Sequence, residues 1–130
     1  MEMKLICSAF RHDMTEEIST INTIRLGQNL IDSGLDVEIC IGHYKGNKEI
    51  SFLVTGFPSL AHLKYTADNV IVNYGQACCY FEYESEAYLI SKYMKTECIG
   101  WETIAPRLPD PAPESYTQLM SGEFIFTENA

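Results

Sequence analysis

Tyr44 and Glu49 form the pair whose types and spacing most directly suggest chemistry in this sequence. Gly46-Asn47, set between two alternating runs at 36–45 and 48–55, reads as a two-residue hairpin turn. With that turn, Lys45 faces Lys48 and Tyr44 faces Glu49, with opposed Cβ atoms about 4.5–5.5 Å apart. A phenol beside a carboxylate could form a polar site; the plainer reading is a solvated hairpin tip. Other catalytic arrangements are missing, since the chain has no GxSxG, no Gly-rich phosphate loop and no HExxH. Ser8 lies between Cys7 and Phe10-Arg11, but separated residues define no Ser-His-Asp arrangement. The cysteines (Cys7, Cys40, Cys78, Cys79, Cys98) are odd in number and form no CxxC, so they read as reduced core thiols. His12, His43 and His62 have no ligand spacing, and no metal is expected.

The elements that must carry these residues follow from periodicity. Residues 3–10 read as a mostly buried first strand. Thr15 followed by Glu16 and Glu17 starts a helix, with acids at the positive end of its dipole. Ile18, Ile21, Ile24, Leu26, Leu30 and Ile31 give an approximate apolar stripe that ends at Gly34. In the hairpin, Ile39, Ile41 and His43 share a face with Ile50, Phe52 and Val54, which should lie under helices. Glu38, Cys40, Gly42 and Tyr44 share the other with Glu49, Ser51 and Leu53, expected to be exposed or covered by another subunit. Phe57-Pro58 opens a second helix carrying Leu60, Leu63 and Ala67. Residues 70–74 read as a fourth strand, 76–83 as a fifth, and 86–95 weakly as a helix. The Pro-rich tract 106–113 reads as an extended surface segment before a last short strand at 123–127. The order β-α-β-β-α-β suggests one domain over residues 1–130, a ferredoxin-like α+β sandwich with helices on one face of an antiparallel sheet.

Composition bounds the function. Nine Lys and Arg against 18 Asp and Glu give a net charge of −9, which disfavours nonspecific nucleic-acid binding. Acidity would attract a cationic ligand and also serves solubility. No apolar run approaches the roughly 20 residues that span a bilayer. Met1-Glu2-Met3-Lys4 lacks the basic start and apolar stretch of a signal peptide. A soluble, cytoplasmic protein without a membrane partner is expected.

One ordered set of short motifs goes further. Ser8-Ala9-Phe10-Arg11 precedes an acidic helix start, Asn22-Thr23-Ile24-Arg25, and Gly42-His43-Tyr44-Lys45 with Glu49 nearby. An apolar segment ending in Tyr74 follows, then Arg107-Leu108-Pro109 and Phe124-Ile125-Phe126. This order, spread over most of residues 4–127, resembles the small bacteriophage S-adenosylmethionine lyases, formerly called hydrolases, which disarm host restriction by destroying the methyl donor. The resemblance implies a ferredoxin-like subunit forming homotrimers with active sites between subunits. It implies cleavage of S-adenosylmethionine to 5′-methylthioadenosine and homoserine lactone, with no metal or organic cofactor. The family's functional tyrosine and glutamate map by motif onto Tyr44 and Glu49. Family members place more residues between the two, so Glu38 and Glu82 stand as alternative carboxylates.

The implied reaction asks little of a protein. The sulfonium leaves as a neutral thioether, and the substrate's own carboxylate can close a five-membered lactone by attacking the γ-carbon. The protein supplies a folded substrate conformation, where proximity provides the acceleration. In this reading Glu49 binds the substrate ammonium and Tyr44 orients the amino-acid end. Ser8, Ala9, Phe10 and Arg11 form the candidate adenosine pocket. Three other readings compete. Glu49 could instead activate water and give homoserine directly. An acidic, non-enzymatic anti-restriction protein would use denser carboxylate arrays. A trimeric small-molecule sensor would bind a nucleotide without turnover.

Overall fold

The computed structural model describes residues 3–128; Met1 and Glu2, part of the segment read for a leader, lie outside them, as do residues 129–130. The chain runs β1 (Lys4–Cys7), α1 (Glu16–Asp32), β2 (Asp36–Tyr44), β3 (Asn47–Thr55), α2 (Leu60–Tyr74), β4 (Cys78–Tyr83), β5 (Glu86–Ser91), β6 (Lys95–Ala105), β7 (Ser115–Leu119) and β8 (Phe124–Glu128). All neighbouring strands are antiparallel and close into a barrel in the order β1-β3-β2-β7-β8-β6-β5-β4, with β4 returning to β1.

This corrects the ferredoxin-like sandwich, whose sheet would be open. Residues 86–91 continue the sheet instead of forming a helix, and β6 and β7 were not foreseen. β7 pairs with β2 and β6 with β5, so both would-be edges are covered. The Pro-rich tract is the connection between β6 and β7. The polar strand β6 hides its role, because all but one of its side chains up to Cys98 are charged or hydroxylated and show no apolar alternation.

Helix α1 begins as read: the Thr15 hydroxyl accepts the Ile18 backbone N–H at 3.2 Å, and Glu16 and Glu17 fill the first turn. Its buried face differs from the expected stripe. Ile18, Ile21, Ile24 and Ile31 are exposed, whereas Ser19, Thr23, Leu26, Gly27 and Leu30 are buried. Small residues at 19, 23 and 27 let the helix lie close on the sheet. A Cβ on Gly27 would stand only 3.0 Å from Cζ of Phe52.

Helix α2 starts one residue past Ser59, whose side chain accepts the His62 N–H at 3.1 Å. It runs through residues 70–74, the segment expected as a strand. Val70, Ile71 and Val72 favour a strand by local preference, but Leu63, Ala67, Val70 and Ile71 extend one buried helical face to Gly75.

The hairpin turn also falls one residue earlier. Tyr44 pairs with Asn47, leaving Lys45 and Gly46 as turn residues, both at positive φ (48° and 85°) as a type I′ turn requires. Lys45 N–H donates to the Glu114 carbonyl at 2.9 Å, carrying the β2–β7 pairing past the strand end. Each β2 residue therefore meets a partner two positions earlier in β3 than expected, and the two faces are unchanged. Phe52 and Val54 do lie under the helices, in the main core with Leu5, Leu63 and Phe81. The opposite face turns into the barrel, where Cys40 and Ser51 are buried and Cys40 packs with Ile6 and Ile125. Toward its ends the same face opens to solvent, with Glu38 and Tyr44 exposed and Glu49 partly so.

Candidate functional site

Glu49 sits at the polar end of an apolar groove between α1 and the β2–β3 hairpin, about 640 Å³ in volume. Its wall is built from the isoleucines that α1 and the hairpin leave outside the core, chiefly Ile24, Ile31, Ile39 and Ile50. Phe10 borders one side, and Glu16 and Lys48 stand at the rim. Glu49 is opposite Gly42 in the ladder, not opposite Tyr44. A Cβ at Gly42 would lie 2.9 Å from Ser51 Oγ and 3.6 Å from Glu49 Cγ, so the glycine keeps space open beside the carboxylate.

The Glu49 side chain is 26% exposed, and its Oε2 lies 3.5 Å from His12 Nε2. Burial pushes its carboxyl above the ordinary range, opposed by hydrogen bonding from Ser8 and by the nearby His12. Buried Ser8 accepts the Phe10 N–H at 3.0 Å, and its hydroxyl also reaches the Ile50 carbonyl at 3.2 Å. The His12 ring is tilted against Phe10 at 5.1 Å between centroids. Among the described residues, no Lys or Arg forms an ion pair with Glu49. It is a half-dried carboxylate with hydrogen-bond donors around it and no fixed cation.

Of the sequence-derived site residues, Glu49, Ser8 and Phe10 come together. Ala9 is fully buried. Arg11 turns away to pair with Asp13, its Nε 2.9 Å from Oδ1, while its backbone N–H and carbonyl are held by Ser19 Oγ, each at 3.1 Å. Tyr44 is 58% exposed at the hairpin tip beneath the Lys45 ammonium, 5.3 Å from the ring centre. It makes no wall of the groove. The alternative carboxylates are elsewhere: Glu38 is exposed opposite Leu53, and buried Glu82 accepts the Ser85 N–H at 2.8 Å.

His12 and the isoleucine wall escaped the sequence reading. His12 has no motif; its only signal was its place two residues beyond Phe10. The wall was visible as a stripe but assigned to the core. Cys7, Cys40 and Cys79 are buried thiols, whereas Cys78 and Cys98 are exposed, and all five are free. Among the described residues, no three His, Cys, Asp or Glu side chains converge as a metal site, and no helix is long and apolar enough to cross a membrane. The fold and groove define a closed antiparallel barrel with an acidic-ended cleft on its helical side. Neither a model of a known protein family nor a curated protein matches the chain.

Proposed function

We propose that this protein is an S-adenosylmethionine lyase whose substrate lies in the groove between α1 and the hairpin, with Glu49 holding the substrate ammonium. The observation that carries the reading is Glu49 itself, a half-buried carboxylate without a fixed cation at the end of a cleft of ligand size. The charges match in number. Glu16, Glu49 and Lys48 supply two negative charges and one positive at the groove. The substrate brings a sulfonium, an ammonium and a carboxylate. The isoleucine wall suits the thioether and methylene portions, and Phe10 offers a ring for the adenine.

The chemistry then proceeds by folding the substrate. Its carboxylate oxygen attacks the γ-carbon, the carbon–sulfur bond breaks, and the bonding electron pair returns to sulfur. Methylthioadenosine and homoserine lactone result, with no proton required to expel the thioether. Charge on sulfur disappears in this step, so tight sulfonium binding would favour the ground state. Holding the ammonium leaves the reacting centre free, and an apolar wall strips water from the attacking carboxylate. Tyr44, at the exposed hairpin tip, would act at the groove only from a neighbouring copy or after the tip bends. The resemblance supports a homotrimer with sites between subunits, and the exposed isoleucines beside the groove offer apolar surface for it.

The test is incubation of the purified protein with S-adenosylmethionine, with early products resolved by chromatography. Lactone appearing before homoserine supports internal attack; homoserine from the outset overturns it in favour of water attack. Turnover by a species that sedimentation shows to be a monomer would overturn the trimeric site. Because burial raises the Glu49 carboxyl, kcat/KM should fall with acidity along a limb displaced above the ordinary glutamate range.

A further inference from the structure

Helices α1 and α2 enclose a second groove, about 340 Å³ in volume, on the barrel's helical side. Neighbouring helices ordinarily close such a seam with apolar side chains. Here α2 presents His62, Thr66, Asn69 and Asn73, spaced by four, three and four residues on one helical face, and α1 answers with Asn29 and Ser33. The floor is apolar, from Leu26, Leu30 and Val70. Among the described residues, no Asp, Glu, Lys or Arg lines it.

Within each helix the Thr66 hydroxyl donates to the His62 carbonyl at 3.0 Å and the Ser33 hydroxyl to the Asn29 carbonyl at 2.8 Å. Among the described residues, one bond crosses the seam, from Asn29 Nδ2 to the Tyr74 hydroxyl at 3.2 Å. The Asn69 and Asn73 carboxamides are exposed and, among the described residues, have no protein hydrogen-bond partner, so they are free to meet a ligand. His62 Nδ1 is shut off from solvent and also has no such partner. A buried N–H without an acceptor is costly, which favours the tautomer with the proton on Nε2. The imidazole then has its donor at the more accessible nitrogen.

We propose that the groove binds a neutral, hydroxyl-rich ligand of one or two sugar rings. Each carboxamide offers both donor and acceptor, as each sugar hydroxyl does. The Tyr65 and Tyr74 rings, also at the groove, supply apolar surface for sugar C–H groups. An ion is selected against, because no side chain here would offset its desolvation. The volume falls within the range of small-ligand sites. This site is separate from the cleft at Glu49 and does not depend on the function proposed there.

Amide NMR spectra of the intact protein titrated with ribose, glucose and maltose test the proposal. The expected result is a saturable set of shifts at Asn29, His62, Asn69 and Asn73 with at least one of them. Gluconate and glucosamine should bind at least about tenfold more weakly than glucose. The doubly substituted Asn69→Leu/Asn73→Leu protein should lose the shifts while its remaining spectrum stays in place. If it fails to fold, Asn73→Ala alone must weaken the saturable binding. No saturable shift with any neutral sugar, shifts centred on the Glu49 cleft, or equal binding of the charged sugars overturns the proposal.

Discussion

Glu49 and Glu102 are both largely withdrawn from water, yet their surroundings differ. Glu102 has a 6% exposed side chain and is met by Lys4 at 2.5 Å and by the Tyr80 hydroxyl at 3.0 Å. Burial, and then the negative charge of Glu102, push the Tyr80 phenol up and keep it a donor. That cluster is complete: one cation, one anion and a hydroxyl between barrel strands. Glu49 has a histidine, a serine and a cleft. A carboxylate whose cation is built in serves the fold, whereas one left short of positive charge is ready to receive it from a ligand.

The sharpest way to break this contrast is to exchange the outcomes of two substitutions. Glu102→Ala strands Lys4 between strands and should cost about 3–5 kcal/mol in urea unfolding. Glu49→Gln should leave the midpoint near that of the unmodified protein but lower kcat/KM for S-adenosylmethionine about 100-fold, from lost orientation. A folded Glu49→Gln protein with full turnover removes Glu49 from the site. Gly42→Ala comes next. Its added methyl must displace Ser51 Oγ, and about 1–3 kcal/mol of stability should be lost. Turnover should fall too, because the methyl fills the space beside Glu49.

The smallest effect concerns pH. A carboxyl raised in the folded protein adds stability below its unfolded value, and that contribution disappears as pH rises through the folded value. At neutral pH the ionised Glu49 therefore weighs against the fold. Glu49→Gln should be more stable than the unmodified protein at pH 7 by a few tenths of a kcal/mol, since solvent screens much of the effect. The advantage should vanish in acid. Glu102→Ala should show the opposite sign at neutral pH.

The same contrast explains what the sequence disclosed. Thr15 with its two acids and the hairpin were legible because caps, turns and strand alternation act over a few residues, whereas the grouping of Ser8 and Phe10 with Glu49 came from the resemblance alone. The turn slipped by one because either Lys45-Gly46 or Gly46-Asn47 can adopt positive φ, and the bond from Lys45 to Glu114 is set by a distant strand. The α1 isoleucines were misplaced because apolar periodicity does not say which face is narrow enough for Phe52 to approach. Residues 70–74 carried a strand preference that the continuing buried face of α2 overrode. The barrel's second half stayed hidden because β5 to β8 depend on pairing across the chain more than on their own pattern. His12 meets Glu49 only after β1 and β3 are side by side.

Ring closure has one more consequence. Each strand pairs on both sides within its own chain over part of its length, and stretches such as residues 47–51 of β3 keep one partner only, so another molecule finds little rim to extend. Crowded copies should resist cross-β fibril growth for as long as the circle stays shut, and prising β4 from β1 is the event that would expose them to it.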